Sequence, residues 1–420
     1  MKKVLLIISI LFITLFLSLI PVRAAEGLVV LENSARADFP AKLTFHLAAR
    51  DDSVISDIRL RYTVQKEQFA RVFSEVFIEF SPSNTVSVDC TLEMVKIGGL
   101  PPGTGIDYWW LVKDTTGKQT STTPARVSFD DSRYAWQSLT ADKVTIYWYN
   151  GDKVFAQELM KIAEQALARL ADYTGARIER QVSIYVYAKS SDLLGAMIYP
   201  QEWTGGVAFT RYGIISLTIG PTDLSWAKQV IPHELTHQVI DQIVLNPYND
   251  LPTWLDEGLA SYIEGEMAAD MKTYLKAGLA NNTLISVRSL CSPFSANRTE
   301  AALSYGQSYS LVEYLITAYG QNKMLELLNT FKNDSEYDAA FAKVYGIDMD
   351  GLDSLWREYV DAPQRQISAE VRPAASAKAV ALSQPMGINP ALAGGLAGLA
   401  TALALFLALL WERWSWKRGI

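Results

Sequence analysis

Histidine is nearly missing from this chain: three residues in 420. Cysteine is scarcer, with only Cys90 and Cys291, far apart in sequence. Two cysteines make no disulfide framework and no cysteine-built zinc ribbon, so two separate thiols are expected. Basic runs are absent between the two termini, and the formal net charge is −7. That balance argues against a nucleic-acid partner. There is no internal repeat, which removes solenoid and propeller architectures.

The chain ends carry their own signals. Lys2 and Lys3 precede an uncharged apolar run from Val4 to Ile20, and "PVRAAEG" follows. A basic start, an apolar centre and small residues before a cleavage point predict a signal peptide over 1–24. Near the other end, Ala391 to Leu410 are twenty uncharged residues. At 1.5 Å per residue they would span about 30 Å, a bilayer's hydrocarbon thickness. Trp411, Trp414 and Trp416, with Arg413, Lys417 and Arg418, resemble an interfacial belt and a cytoplasmic edge. The expectation is a transmembrane helix over 390–411 with a cytoplasmic tail over 412–420. The Ala/Ser/Pro-rich segment 363–389 reads as a flexible stalk. A single-pass cell-membrane protein with its ectodomain outside the cytoplasm follows from these segments.

Between the ends lie two halves of different character. Residues 25–133 read as all-β: "KLTFHLAA", "DIRLRYTV", "TVSVDCTL" and "DYWWLVKD" alternate in part and are separated by turn-rich stretches. Their spacing predicts a sandwich, and "PPGTGIDYWWLVKDTTGKQTSTTP" resembles the penultimate-strand region of fibronectin type III and immunoglobulin-like modules. Whether such a domain recruits substrate or acts as a spacer stays open. Residues 134–362 change to helical spacing, with "RQVSIYVYAK" and "VAFTRYGIISLTIG" as strands and a run of helices after them. A sheet followed by helices argues α+β.

The scarce histidines are used together. His46 sits in a strand pattern with no other ligand type near it. His233 and His237 both fall within "KQVIPHELTHQVIDQ". On a helix, positions i and i+4 project from one face, so two imidazoles can hold one Zn²⁺ with Glu234 beside it as a general base. Pro232 either kinks this helix or restarts it just before His233, and either leaves the histidine spacing intact. A catalytic zinc needs three protein ligands and one open position. No third histidine follows, so a carboxylate must serve, and "PTWLDEGLASYIEGE" offers Glu257.

H-E-L-T-H followed by W-L-D-E-G-L-A resembles the gluzincins, the thermolysin-like zinc metallopeptidases of the peptidase MA-like group. The resemblance covers roughly residues 135–360. It implies Glu257 as the third ligand of one zinc per chain and peptide-bond hydrolysis as the activity, with a peptide or protein as substrate. It also implies an oxyanion-stabilising tyrosine, which falls on Tyr305 in "SYGQSYSLVEYL", with Tyr309 as the fallback. The strand along which related aminopeptidases lay their substrate falls on Gly206, Val207 and Ala208. The amine-binding glutamate of those enzymes has no counterpart there, which favours an endopeptidase. Where thermolysin-type chains place an aspartate four residues after the third ligand, this chain has Ser261. Asp241 and Asp256 receive no firm role. The competing reading is a catalytically silent surface-binding protein that keeps the peptidase fold, and the intact Glu234 tells against it.

Overall fold

The computed structural model describes residues 27–361, except 71, 201–204, 249 and 334. The first seven strands are β1 (Val29–Asp38), β2 (Lys42–Val64), β3 (Ser74–Phe77), β4 (Ser83–Glu93), β5 (Thr104–Asp114), β6 (Gln119–Ser121) and β7 (Ala125–Phe129). A one-turn helix, α1 (Met94–Ile97), follows β4. The sandwich expected over 25–133 is corrected here: these strands form one seven-stranded sheet that curls. The cause is β2, 23 residues long, which carries β1 and β4 along its first part and β3 and β5 along its second. Its pairing register shifts between Arg50 and Ile55 and again before Asp57. The buried positions accordingly switch parity, from Leu43, Phe45 and Leu47 to Ile58, Leu60 and Tyr62. Both arms therefore turn their apolar faces inward, and Phe45 meets Tyr62 and Tyr108 at ring-centre distances of 6.4 and 4.8 Å.

The second half is α+β, as its pattern implies. β8 (Gln137–Ala141), β9 (Val144–Trp148), β10 (Val182–Tyr187), β11 (Gly206–Phe209) and β12 (Ile214–Thr218) form a sheet in the order β11-β12-β10-β9-β8. Its three central strands are parallel, and β8 and β11 are antiparallel edges. The helices are α2 (Lys153–Thr174), α3 (Ser190–Leu194), α4 (Leu224–Val244), α5 (Thr253–Glu264), α6 (Ala269–Ala280) and α7 (Arg298–Tyr319). They are followed by α8 (Gln321–Lys332), α9 (Tyr337–Tyr345) and α10 (Met349–Asp361). Asp152 caps α2 by accepting from the Phe155 N–H, and Gly175 ends it in the left-handed region at φ 74°.

The two sheets share one apolar core, in which Tyr185, Tyr187 and Leu193 pack with Phe45, Tyr108 and Phe129. Buried Asp131 ties the halves together. It pairs with Arg133 at 2.7 Å and accepts the Tyr187 hydroxyl at 2.9 Å. Cys90 and Cys291 are free thiols, as expected. His46 stays on the curled sheet, 2.8 Å from Asp89.

The membrane topology is also corrected. The span expected at 390–411 lies outside the described residues, as do the signal peptide (1–24), the stalk (363–389) and the tail (412–420). Among the described residues no helix is long and apolar enough to cross a membrane. The two longest, α2 and α7, have 22 residues each, about 33 Å of helix. However, α2 carries Lys153, Glu158, Lys161, Glu164, Arg169 and Asp172, and α7 carries Arg298, Glu300 and Glu313. With that finding the membrane anchor, the membrane as partner and the single-pass extracytoplasmic location are withdrawn.

Candidate active site

α4 is the central helix of the second half, buried on most sides by Ala227, Ile231, Leu235, Val239 and Ile243. It runs unbroken from Leu224 to Val244 with Pro232 inside it, so the chain neither restarts nor ends there. Proline has no N–H to give to the preceding turn. The turn that follows is reinforced by the Thr236 hydroxyl, which donates to the Pro232 carbonyl at 2.7 Å.

α5 crosses α4 and brings Glu257 to the histidine face. Its closeness to α7 depends on Gly258, where a Cβ would stand 2.5 Å from the Ser308 carbonyl oxygen. Only glycine lets the two backbones approach so far. The same contact sets Tyr305, one turn before Ser308, beside Glu257. β11 approaches from another side. A Cβ on Gly206 would lie 2.8 Å from Glu234 Oε1, and the Ala208 N–H donates to the Glu234 carboxylate.

Three ligand atoms converge. His233 Nε2 and His237 Nε2 are 3.2 Å apart, and Glu257 Oε2 lies 3.5 and 3.8 Å from them. Tetrahedral zinc with bonds of about 2.05 Å places neighbouring ligand atoms about 3.3 Å apart. Glu257 Oε2 is buried with no hydrogen-bond partner. An orphaned carboxylate oxygen facing two imidazole nitrogens at tetrahedral edge lengths fits one divalent zinc ion. Among the described residues this is the only such group of three histidine, cysteine or acidic side chains.

The outer nitrogens of both rings are held by carboxylates that the sequence pattern did not assign. His233 Nδ1 meets Glu264 Oε1 at 2.6 Å, and His237 Nδ1 meets Asp256 Oδ1 at 3.1 Å. Such partners fix the tautomer and the ring orientation of a ligating histidine. Glu264 was legible in principle: it follows Glu257 by seven residues, two turns along the same helix face. Asp241 takes no part in this. It faces Thr210 and Arg211, and burial pushes its carboxyl up. Ser261, standing where an aspartate was looked for, has a buried hydroxyl without a partner.

The electrostatics favour a cation. Burial alone would lower both imidazoles, but the carboxylates outweigh it: Glu257 and Glu264 raise His233, and Asp256 raises His237 to about 9. Burial would raise Asp256, yet His237 holds it below the usual carboxylate range. Burial pushes Glu234 upward against the pull of both histidines. A carboxyl raised in this way is better suited to accept a proton near neutrality.

Glu234 lines two adjoining cavities. One, of about 1140 Å³, also holds His233, Gly206, Val207 and Tyr305. The other, of about 450 Å³, holds Ala208, His237, Asp256 and Glu257. The Tyr305 hydroxyl interacts with Glu257, and the ring packs edge-on to Phe294 at 5.2 Å. The Tyr309 hydroxyl is spent elsewhere, donating to the Gly265 carbonyl at 2.9 Å.

Residues 162–362, which contain all of these groups, match the family model described as Peptidase MA superfamily. The match spans just under half of the chain and gives this part of it Peptidase MA homology. That part is a gluzincin zinc metallopeptidase, with His233, His237 and Glu257 forming a cluster that suits a single Zn²⁺. No curated protein matches the sequence. Among solved structures the peptidase is similar to the M1 zinc metallopeptidase from Deinococcus radiodurans. Identity is 13%, covering 82% of this chain and 97% of that one, at a TM-score of 0.32. A variant of that enzyme bound to a Tyr-Ser-Ala substrate gives 15% identity, coverage of 79% and 94%, and a TM-score of 0.34. Superpositions this loose carry no residue-by-residue correspondence.

Proposed function

We propose that this zinc metallopeptidase hydrolyses peptide bonds with Glu234 as general base and Tyr305 as the donor to the oxyanion. The observation that carries the reading is the position of Glu234: it is 9% exposed, beside the ligand cluster and at the junction of two cavities. Zinc held by the cluster supplies Lewis acidity and lowers the pKa of water within its reach. Glu234 takes a proton from the attacking water and returns it to the leaving nitrogen. The Ala208 N–H steadies the carboxylate between those two steps. Tyr305, with its phenol beside Glu257, donates to the oxygen on which charge develops.

β11 ends its sheet, and among the described residues it pairs only with β12. Its outer edge at Gly206, Val207 and Ala208 is assigned to the substrate backbone by strand addition. The catalytic segment is assigned to 134–362 and the curled sheet to 25–133.

The test compares the purified full chain with Glu234→Ala for zinc content and for cleavage of casein. Glu234 is not a ligand, so both are expected to hold one zinc, with cleavage slowed by about a thousandfold in the variant. A variant that keeps zinc and cuts as fast as the parent would refute the assignment.

A further inference from the structure

The larger cavity is not built by the peptidase half alone. Residues 97–101, from the end of α1 and the loop beyond it, line the same space as His233 and Glu234. This loop belongs to the curled sheet, whose role the sequence left open between recruitment and spacing. Gly98 and Gly99 sit in the left-handed region at φ 85° and 84°, so the chain turns sharply after Ile97. The turn is clasped to the segment at 196–199. The Tyr199 hydroxyl donates to the Val95 carbonyl at 2.8 Å, and a Cβ on Gly99 would come within 3.1 Å of the Ile198 side chain. Met94 and Leu100, on either side of the turn, are buried in the shared core. The loop is therefore a fixed wall.

What this wall shows to the cavity is apolar. Ile97 is 41% exposed, Tyr199 66% and Trp226 40%, and all three line it. The Trp226 indole is held in place, donating to the Thr218 carbonyl at 3.0 Å and leaving no room for a Cβ on Gly205. Residues 97–101 and 196–199, together with Trp226, include no charged side chain. Apart from Glu234, the charged lining residues Glu264, Asp270 and Arg298 all come from α5, α6 and α7. Apolar surface exposed beside a reacting centre is surface that a bound side chain removes from water.

We propose that the 97–101 turn of the curled sheet is a specificity element of the peptidase. With Tyr199 and Trp226 it forms a subsite for a large aliphatic or aromatic substrate side chain close to the scissile bond. The occupant is fixed by chemistry and by continuity: the wall runs into the space that holds Glu234, and among the described residues its lining at 97–101, 196–199 and Trp226 offers no charged side chain for a charged group to pair with. This rests on peptide hydrolysis at the centre described above, and it gives the curled sheet a part in choosing substrate.

The test uses the full chain and matched peptides carrying Phe, Leu, Ala or Glu at each position flanking the cut. The parent should favour Phe and Leu over Ala at one position. Ile97→Ala should shrink that ratio of kcat/KM by about tenfold, in line with the worth of a lost methylene contact in an apolar pocket. Ile97→Asp should shrink it further. Tyr199→Phe keeps the ring but frees the loop, and should lower the ratio less than either. An unchanged ratio in both Ile97 variants would overturn the proposal. Equilibrium binding separates this from failure of the catalytic reading. In a Glu234→Ala background the Phe peptide should bind about tenfold tighter than the Ala peptide, and adding Ile97→Asp should abolish the difference. If Glu234→Ala binds both equally, the wall selects nothing, whatever the parent cuts.

Discussion

Replacing Glu264 tests whether the outer carboxylates hold the zinc site in shape. The His233 Nδ1 to Glu264 Oε1 distance is 2.6 Å, in the range of a charge-assisted hydrogen bond. Glu264→Gln keeps the length of the side chain and an oxygen that can accept from Nδ1–H, so it removes mainly the charge. Glu264→Ala removes the anchor as well and frees the ring to turn. Outer-shell partners of ligating histidines are typically worth about 10–100-fold in metal affinity. The glutamine variant should sit at the low end, about tenfold weaker, or about 1.4 kcal/mol. The alanine variant should approach a hundredfold, about 2.7 kcal/mol. The assay is competition for zinc between the metal-stripped full chain and a chromogenic chelator, with circular dichroism to confirm that each variant is folded. Affinities within twofold of the parent for both variants would refute the reasoning, because His233 would then be positioned without Glu264. Equal losses for Gln and Ala would show that charge matters and orientation does not.

Three further substitutions probe the site from other sides. Tyr305→Phe should lower kcat by about a hundredfold, the cost of one oxyanion donor, with little change in KM. Tyr309→Phe should leave kcat alone and cost about 1 kcal/mol of stability for its buried bond to the Gly265 carbonyl; a larger kcat loss in Tyr309→Phe than in Tyr305→Phe would reverse the assignment. Gly258→Ala gains about 1 kcal/mol of helix propensity. The new Cβ nevertheless meets the Ser308 carbonyl oxygen at 2.5 Å, so a net loss of about 3 kcal/mol is expected, read as a lower Tm together with weaker zinc binding.

What the sequence disclosed was the chemistry that repeats at fixed local spacing. His233, Glu234 and His237 lie within one turn and a half of a helix, so their relation is set by helix geometry alone. Glu257 was reachable because a catalytic zinc needs a third ligand and the W-L-D-E-G-L-A stretch resembles the gluzincins, whose third ligand falls on that glutamate. Asp256 and Glu264 were not assigned, because their partners lie on another helix and the crossing of α4 and α5 is a tertiary fact. The curled sheet misled for a different reason. Short alternating runs in "KLTFHLAA" and "DIRLRYTV" read as separate strands, whereas β2 continues through both and changes its inward parity on the way. Alternation is a local signal, and a bulge that shifts it looks like a strand boundary.

The arrangement also explains why so few histidines suffice. α5 alone delivers the third ligand, Glu257, and the two outer carboxylates, Asp256 and Glu264. One helix therefore fixes the charge around both rings. Its position is set by the bare backbone contact at Gly258, which also brings Tyr305 to Glu257. A shift of α5 by the width of a methyl group would move all three carboxylates together and part them from the tyrosine. Precision at this centre is thus a matter of how closely α5 packs on α7. The loss of zinc affinity in Gly258→Ala should accordingly exceed that in Glu264→Gln, although Gly258 contributes no polar side chain to the site.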